Sequence, residues 1–198
     1  MSSFYTISSS AAGFFKDKGS KFFSFAFPVT SLQEVRDRLG ELHTKYHDAR
    51  HYCYAWVTGL GEQKWRANDD GEPSHSAGDP ILGQIRSFEL TNVLVVVVRY
   101  FGGTKLGRPG LVNAYRQAAE SALTKTTKKE IFEVVEVIVR FGYDDMSKVE
   151  RLVEELEVEV IERRYAMACE LEALVKKEMV APLQDSLKEN FEVKIEFR

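Results

Sequence analysis

The residues RYFGGTKLGRPG, Arg99 to Gly110, place four glycines and three cations between an apolar run, NVLVVVV, and an alanine-rich segment, LVNAYRQAAESAL. A strand that ends in a glycine-rich turn and runs into a helix start is the arrangement in which backbone N–H groups and a helix dipole meet an anion. Arg99, Gly102, Gly103, Lys105, Gly107 and Arg108 are therefore candidates for binding an anion or a nucleic acid. Their spacing fits neither standard phosphate motif. Gly102, Gly107 and Arg108 approximate a Walker A loop, yet Arg108 stands for its lysine and Pro109 for the hydroxyl that would hold Mg²⁺. No G-x-G-x-x-G occurs here either. The competing reading is a turn whose glycines supply positive φ values and close packing, with Pro109 presetting the helix entry.

A second loop, NDDGEPSHSAGDP from Asn68 to Pro80, holds Asp69, Asp70, Glu72, Ser74, His75 and Asp79. These are oxygen and nitrogen donors from which a Mg²⁺ site or an acid/base pair could be built. The plainer reading makes Asp70-Gly71 a turn, Pro73 the end of a strand, and Ser76 or Asp79 the cap of the next helix. Side chains so close along a turn diverge, so no metal, cofactor or catalytic set is assigned to this loop. A Ser74/His75 dyad also lacks a third group to orient it. Arg50 and His51 open a strand in which Tyr52, Tyr54 and Trp56 alternate. Basic residues interleaved with aromatics suit single-stranded nucleic acid, whereas the same three rings form one core face without any partner, and the core is the favoured reading.

These loops need elements to hold them. KFFSFAFPV and HYCYAWVTG read as strands and NVLVVVV as a strand buried on both faces. Ser31 with Glu34 forms a capping-box pattern ahead of Leu32, Val35, Leu39, Leu42 and Tyr46 at helical spacing. GDPILGQIRSF reads as a short helix, and Leu111, Tyr115, Ala118 and Ala122 make one face of a longer one. The polar segment TKTTKKE, Thr124 to Glu130, marks a boundary between residues 1–129 and 130–198. Beyond it the pattern is strand, helix, strand, strand, helix, strand, a split βαβ unit. Met146, Val149, Leu152, Val153 and Leu156 line its first helix and Val180, Leu183 and Leu187 its second. Phe191, Val193, Ile195 and Phe197 share a face of its last strand. Its outward positions include Glu136, Glu159, Glu192, Lys194 and Glu196, too acidic and too poor in aromatics for an RNA-recognition sheet.

Charge follows the same division. Residues 1–129 carry 17 Lys and Arg against 12 Asp and Glu, whereas residues 130–198 carry 10 against 18. The first part is thus the candidate for an anionic partner and the second for a basic one. No apolar run is long enough to span a membrane, and the N-terminus lacks the charged and apolar regions of a secretory signal, so a cytoplasmic protein is expected. Cys53 and Cys169, the two cysteines, read as buried reduced thiols. No motif specifies an oligomeric state.

DDGEPSHSAGDPIL followed by TNVLVVVVRYFGGTKLG closely resembles the IMPACT/YigZ family, in which a DDGEPSGTAG-like loop and an RYFGG-x-x-LG loop occur at this separation. The resemblance spans about residues 16 to 125, and the second half looks like the small C-terminal domain of bacterial members. It implies an α+β protein of two domains. The first would have the fold of the second domain of small-subunit ribosomal protein five, shared with domain IV of elongation factor G and some sugar and mevalonate kinases. The second would be ferredoxin-like, similar to domain V of elongation factor G. Eukaryotic relatives regulate translation by binding other proteins, and bacterial members have been proposed to bind nucleic acid. The implied role is a non-enzymatic binding protein that contacts RNA, the ribosome or a protein of the translation apparatus. An enzyme acting on a small phosphorylated or nucleotide substrate and a protein-docking module are the alternatives. No catalytic residue carries over. His75-Ser76 stands where Gly-Thr is common and Arg108-Pro109 where Thr-Gly is common, which shifts an anion site from backbone toward side chains.

Overall fold

The computed structural model describes residues 3–166, 168–188 and 193–197. The chain divides into two compact units, one over Ser3–Ile131 and one from Phe132 onward. Each is mixed α/β.

In the first unit five antiparallel strands lie in the order β2-β3-β6-β4-β5, comprising β2 (Ala11–Asp17), β3 (Ser20–Pro28), β4 (His51–Thr58), β5 (Lys64–Asn68) and β6 (Val93–Tyr100). Strict alternation explains why this sheet is covered on both sides. Phe22, Ala26, Cys53, Ala55, Val57, Val93, Val95 and Val97 meet helices α2 (Gly78–Ser87) and α3 (Gly107–Leu123) in one core. Their neighbours Tyr52, Trp56, Leu94, Val96 and Val98 join Phe23, Phe25, Phe27 and Tyr54 in a second core with α1 (Leu32–Lys45). The aromatic stripe of β4 is therefore core. The predicted capping box starts α1: Ser31 Oγ accepts from the Glu34 N–H at 3.2 Å, and the Glu34 carboxylate accepts from the Ser31 N–H. A separate pair joins β1 (Phe4–Ile7) to β7 (Lys128–Ile131).

The second unit is ferredoxin-like. Its sheet runs β11-β8-β10-β9, from β8 (Val134–Phe141), β9 (Glu159–Tyr165), β10 (Cys169–Lys176) and β11 (Lys194–Phe197), with α4 (Met146–Glu155) and α5 (Val180–Lys188) between them. Val137, Val139, Phe141, Cys169, Leu171, Ala173 and Val175 alternate toward Val149, Leu183 and Leu187. Val193 and Ile195 pack on this core, while Phe197, expected beside them, is exposed at the end of its edge strand. Phe191 and Glu192 lie outside the described residues. Glu162, Glu170 and Glu196 of the sheet are ion-paired: Arg140 contacts Glu170 and Glu196 at 2.7 and 2.6 Å, and Arg164 contacts Glu162 and Glu170 at 2.5 and 2.9 Å. Two arginines thus offset part of the acidic charge of this sheet.

Candidate anion-binding site

Arg99 lies one residue before the end of β6 and pairs in register with Phe22 of β3 and His51 of β4, which places it at the centre of the sheet's edge. Its parity is that of Val95 and Val97, so its side chain enters the core beneath α3. There its guanidinium lies 5.5 Å from the Phe22 ring centroid, and Nη1 donates to Glu72 Oε1 at 2.5 Å. Both side chains are buried, 7% and 4% exposed. Burying either alone would leave an unpaired charge in a poorly polarisable medium, so the pair explains how both are tolerated. Glu72 Oε1 also accepts from the Tyr115 hydroxyl of α3 at 2.7 Å. Cys53 Sγ lies 3.3 Å from that hydroxyl and 3.0 Å from the Asp69 carbonyl oxygen. Burial pushes both the Cys53 thiol and the Tyr115 phenol well above their ordinary values, so neither ionises near neutrality. The buried Arg99 Nε has no hydrogen-bond partner among the described residues.

The two loops singled out in the sequence therefore meet. Arg99 with Glu72 is one link, and Arg108 Nη2 to the Ser74 carbonyl at 3.0 Å is another. Within the acidic loop, Asp69 is the organiser. Its carboxylate accepts from the N–H groups of His75, Ala77 and Gly78 at 2.8, 2.9 and 2.9 Å, capping α2 in place of the expected Ser76 or Asp79. Burial alone would raise its pKa, but the three backbone donors together outweigh that and hold it below the usual value. Asp70 accepts from the Tyr52 N–H at 2.6 Å and tethers the loop to β4. His75 Nδ1 sits 2.6 Å from Asp79 Oδ2. Its φ of +63° lies in the left-handed region that glycine enters freely, which accounts for the glycine that the IMPACT/YigZ pattern carries at this position. The carboxylates of this loop are spent on structure, and among the described residues no group of three His, Cys, Asp or Glu side chains is placed to hold a metal ion.

The glycine loop is equally constrained. A Cβ on Gly102 would fall 1.9 Å from the carbonyl carbon of Gly19, so this backbone is pressed directly against the β2–β3 turn. The Gly102 N–H donates to Ser20 Oγ at 3.1 Å, and Gly103 follows with a φ of +86°. Helix α3 then begins with neither a side-chain cap nor an acidic residue in its first turn. Two clefts flank the loop. One, of about 350 Å³, is lined by Glu72, Arg99, Phe101, Lys105, Gly107 and Arg108. The other, of about 390 Å³, is lined by Asp48, Arg50, His51, Arg99, Tyr100 and Phe101. Asp48 accepts from the Tyr100 hydroxyl at 2.5 Å, a hydrogen bond that lowers the pKa of the acid and raises that of the phenol to about 12.

The candidate residues thus sort by position. Arg50, His51, Lys105 and Arg108 border the clefts, Gly102 and Gly103 shape the loop, and Asp69, Asp70, Ser74 and His75 build its neighbour. Arg99 also lines both clefts, but its charge is matched by Glu72 instead of being held for an incoming anion. Sequence reasoning missed Ser20, the hydroxyl function of Tyr115, and Phe101. The signal for Tyr115 was a phenol on an otherwise alanine-lined helix face, because a buried hydroxyl requires a partner.

Comparison with known proteins adds to this geometry. Residues 18–123 match the Impact N-terminal domain family, and residues 139–192 match a domain of unknown function, DUF1949. The IMPACT family member YigZ of Escherichia coli strain K12 is 31% identical over 150 residues, covering 75% of this chain and 74% of that protein. An IMPACT family member of Thermus thermophilus is 38% identical over 133 residues, 67% of this chain and 71% of its own. A crystal structure titled as a hypothetical protein superposes over 98% of this chain and 97% of its own, with a TM-score of 0.72 and 26% identity.

Proposed function

This chain belongs to the IMPACT family, and from that premise we propose that it is a non-enzymatic, cytoplasmic binding protein of the translation apparatus whose first domain, residues 1–129, contacts RNA or the ribosome. The observation that carries this reading is the pair of clefts bordered by Arg50, His51, Lys105 and Arg108 around one rigid loop. Of the acids lining them, Glu72 is offset by Arg99, while Asp48 keeps its charge beside the Tyr100 hydroxyl; Arg50, Lys105 and Arg108 outnumber it, so the lining carries a net positive charge. The excess of cations in residues 1–129 has the same sign. Binding is favoured over catalysis because the Cys53 thiol stays protonated, Asp69 and Asp70 hold backbone N–H groups, and Glu72 holds Arg99. The eukaryotic role in translation that the sequence resemblance implies supplies the process.

Sedimentation with ribosomes tests the proposal. Phosphate contacts release counterions, so the chain should pellet with ribosomes at about 50 mM salt and be released near 200 mM. Failure to pellet at low salt, or pelleting indifferent to salt, contradicts it.

A further inference from the structure

Phe101 is 58% exposed, although a large apolar ring is ordinarily withdrawn from water. It lines both clefts described above and a third of about 320 Å³, whose wall includes Lys21, Phe23, Tyr46 and Tyr100. Its loop is not free to bury it, because Gly102, the next residue, is clamped against Gly19. The Arg99 guanidinium lies 5.7 Å from the ring centroid, a cation–π contact that further fixes the ring. A rigidly displayed aromatic thus stands among exposed cations, with Lys105 and Arg108 in one cleft, Arg50 in the second and Lys21 in the third, the last two clefts sharing the single carboxylate of Asp48.

This combination selects among nucleic acids. A duplex offers phosphates but keeps its base faces stacked, whereas a single strand offers phosphates and an unpaired base together. We infer that Phe101 is a stacking platform for one unpaired base of single-stranded RNA, with Lys105 and Arg108 on one side and Arg50 and Lys21 on the other contacting the flanking phosphates. The inference rests on the RNA-binding reading above and narrows it to unpaired RNA.

The test uses the full chain and a labelled RNA of about 12 nucleotides, the span of a small single-strand site, presented alone or annealed to its complement. One central base is replaced by 2-aminopurine to report stacking. At low salt the wild type should bind the single strand more tightly than the duplex and quench the 2-aminopurine. Phe101→Leu should weaken single-strand binding about 5- to 150-fold, the range for one stacked base, and leave duplex binding unchanged. Phe101→Trp, which keeps a π face, should retain both affinity and quenching. If Phe101→Leu matches the wild type on the single strand, or weakens both RNAs equally, the stacking role is wrong while RNA binding stands. If the wild type binds neither RNA, the RNA-binding reading on which the inference rests falls, and the stacking role with it.

Discussion

Arg99 Nη1 lies 2.5 Å from Glu72 Oε1, with both side chains shielded from water. This contact joins the acidic loop that precedes α2 to the glycine loop that precedes α3, so neither loop is shaped alone. A buried ion pair adds little net stability, because desolvation cancels most of the attraction. Its consequence is geometric: the pair fixes how the glycine loop, which carries Lys105 and Arg108, stands against the acidic loop.

Removing one partner should expose that dependence. Glu72→Ala leaves the Arg99 charge buried without its counterion and should lower the unfolding free energy by about 3–5 kcal/mol. The double change Glu72→Leu with Arg99→Met, which removes both charges, should recover much of that loss. Urea unfolding of the three chains decides it, and a Glu72→Ala variant within about 0.5 kcal/mol of wild type would contradict the assignment.

Two adjacent glycines should differ in cost. At Gly103 an added Cβ meets open space but inherits a left-handed φ, so Gly103→Ala should cost about 1–2 kcal/mol. At Gly102 the Cβ would overlap the Gly19 backbone, so Gly102→Ala should cost more and displace the loop. Equal stabilities, or the reverse order, would show that the loop is not pinned there.

Asp69 should make the fold acid-sensitive. Its folded pKa lies below the unfolded value of about 3.9, so its contribution is complete above that pH and is lost as the pH falls through the lower folded value. Asp69→Asn, which removes the titrating group, should weaken the capping of α2 at neutral pH and flatten the decline of stability below about pH 4. Parallel stability curves for the two proteins between neutrality and that acid range would refute the cap.

Much of this architecture was legible because it is periodic. The aromatic-rich KFFSFAFPV, the alternating rings of HYCYAWVTG and the unbroken apolar run NVLVVVV predict strands that the sheet contains, and the Ser31–Glu34 pattern predicts the start of α1. What was hidden is pairing across distance. Glu72 beside Pro73 has the look of a solvated turn, and nothing local points to an arginine 27 positions on. Lys128–Glu130 reads as part of a polar boundary because these side chains face water, yet Lys128–Ile131 pairs with Phe4–Ile7 through backbone that leaves no hydrophobic period. Phe101 was passed over because an exposed ring is indistinguishable from a core ring in sequence.

The central claim is that the rim of the glycine loop binds RNA by charge. Fluorescence anisotropy of a labelled single-stranded RNA, titrated with wild type and with Lys105→Glu plus Arg108→Glu across about 50 to 200 mM salt, tests it most directly. The account predicts affinity that falls steeply with salt for the wild type, and weaker binding with a slope shallower by about two phosphate contacts for the double variant. Identical affinity and slope for the two proteins would remove this loop from RNA binding and contradict the account.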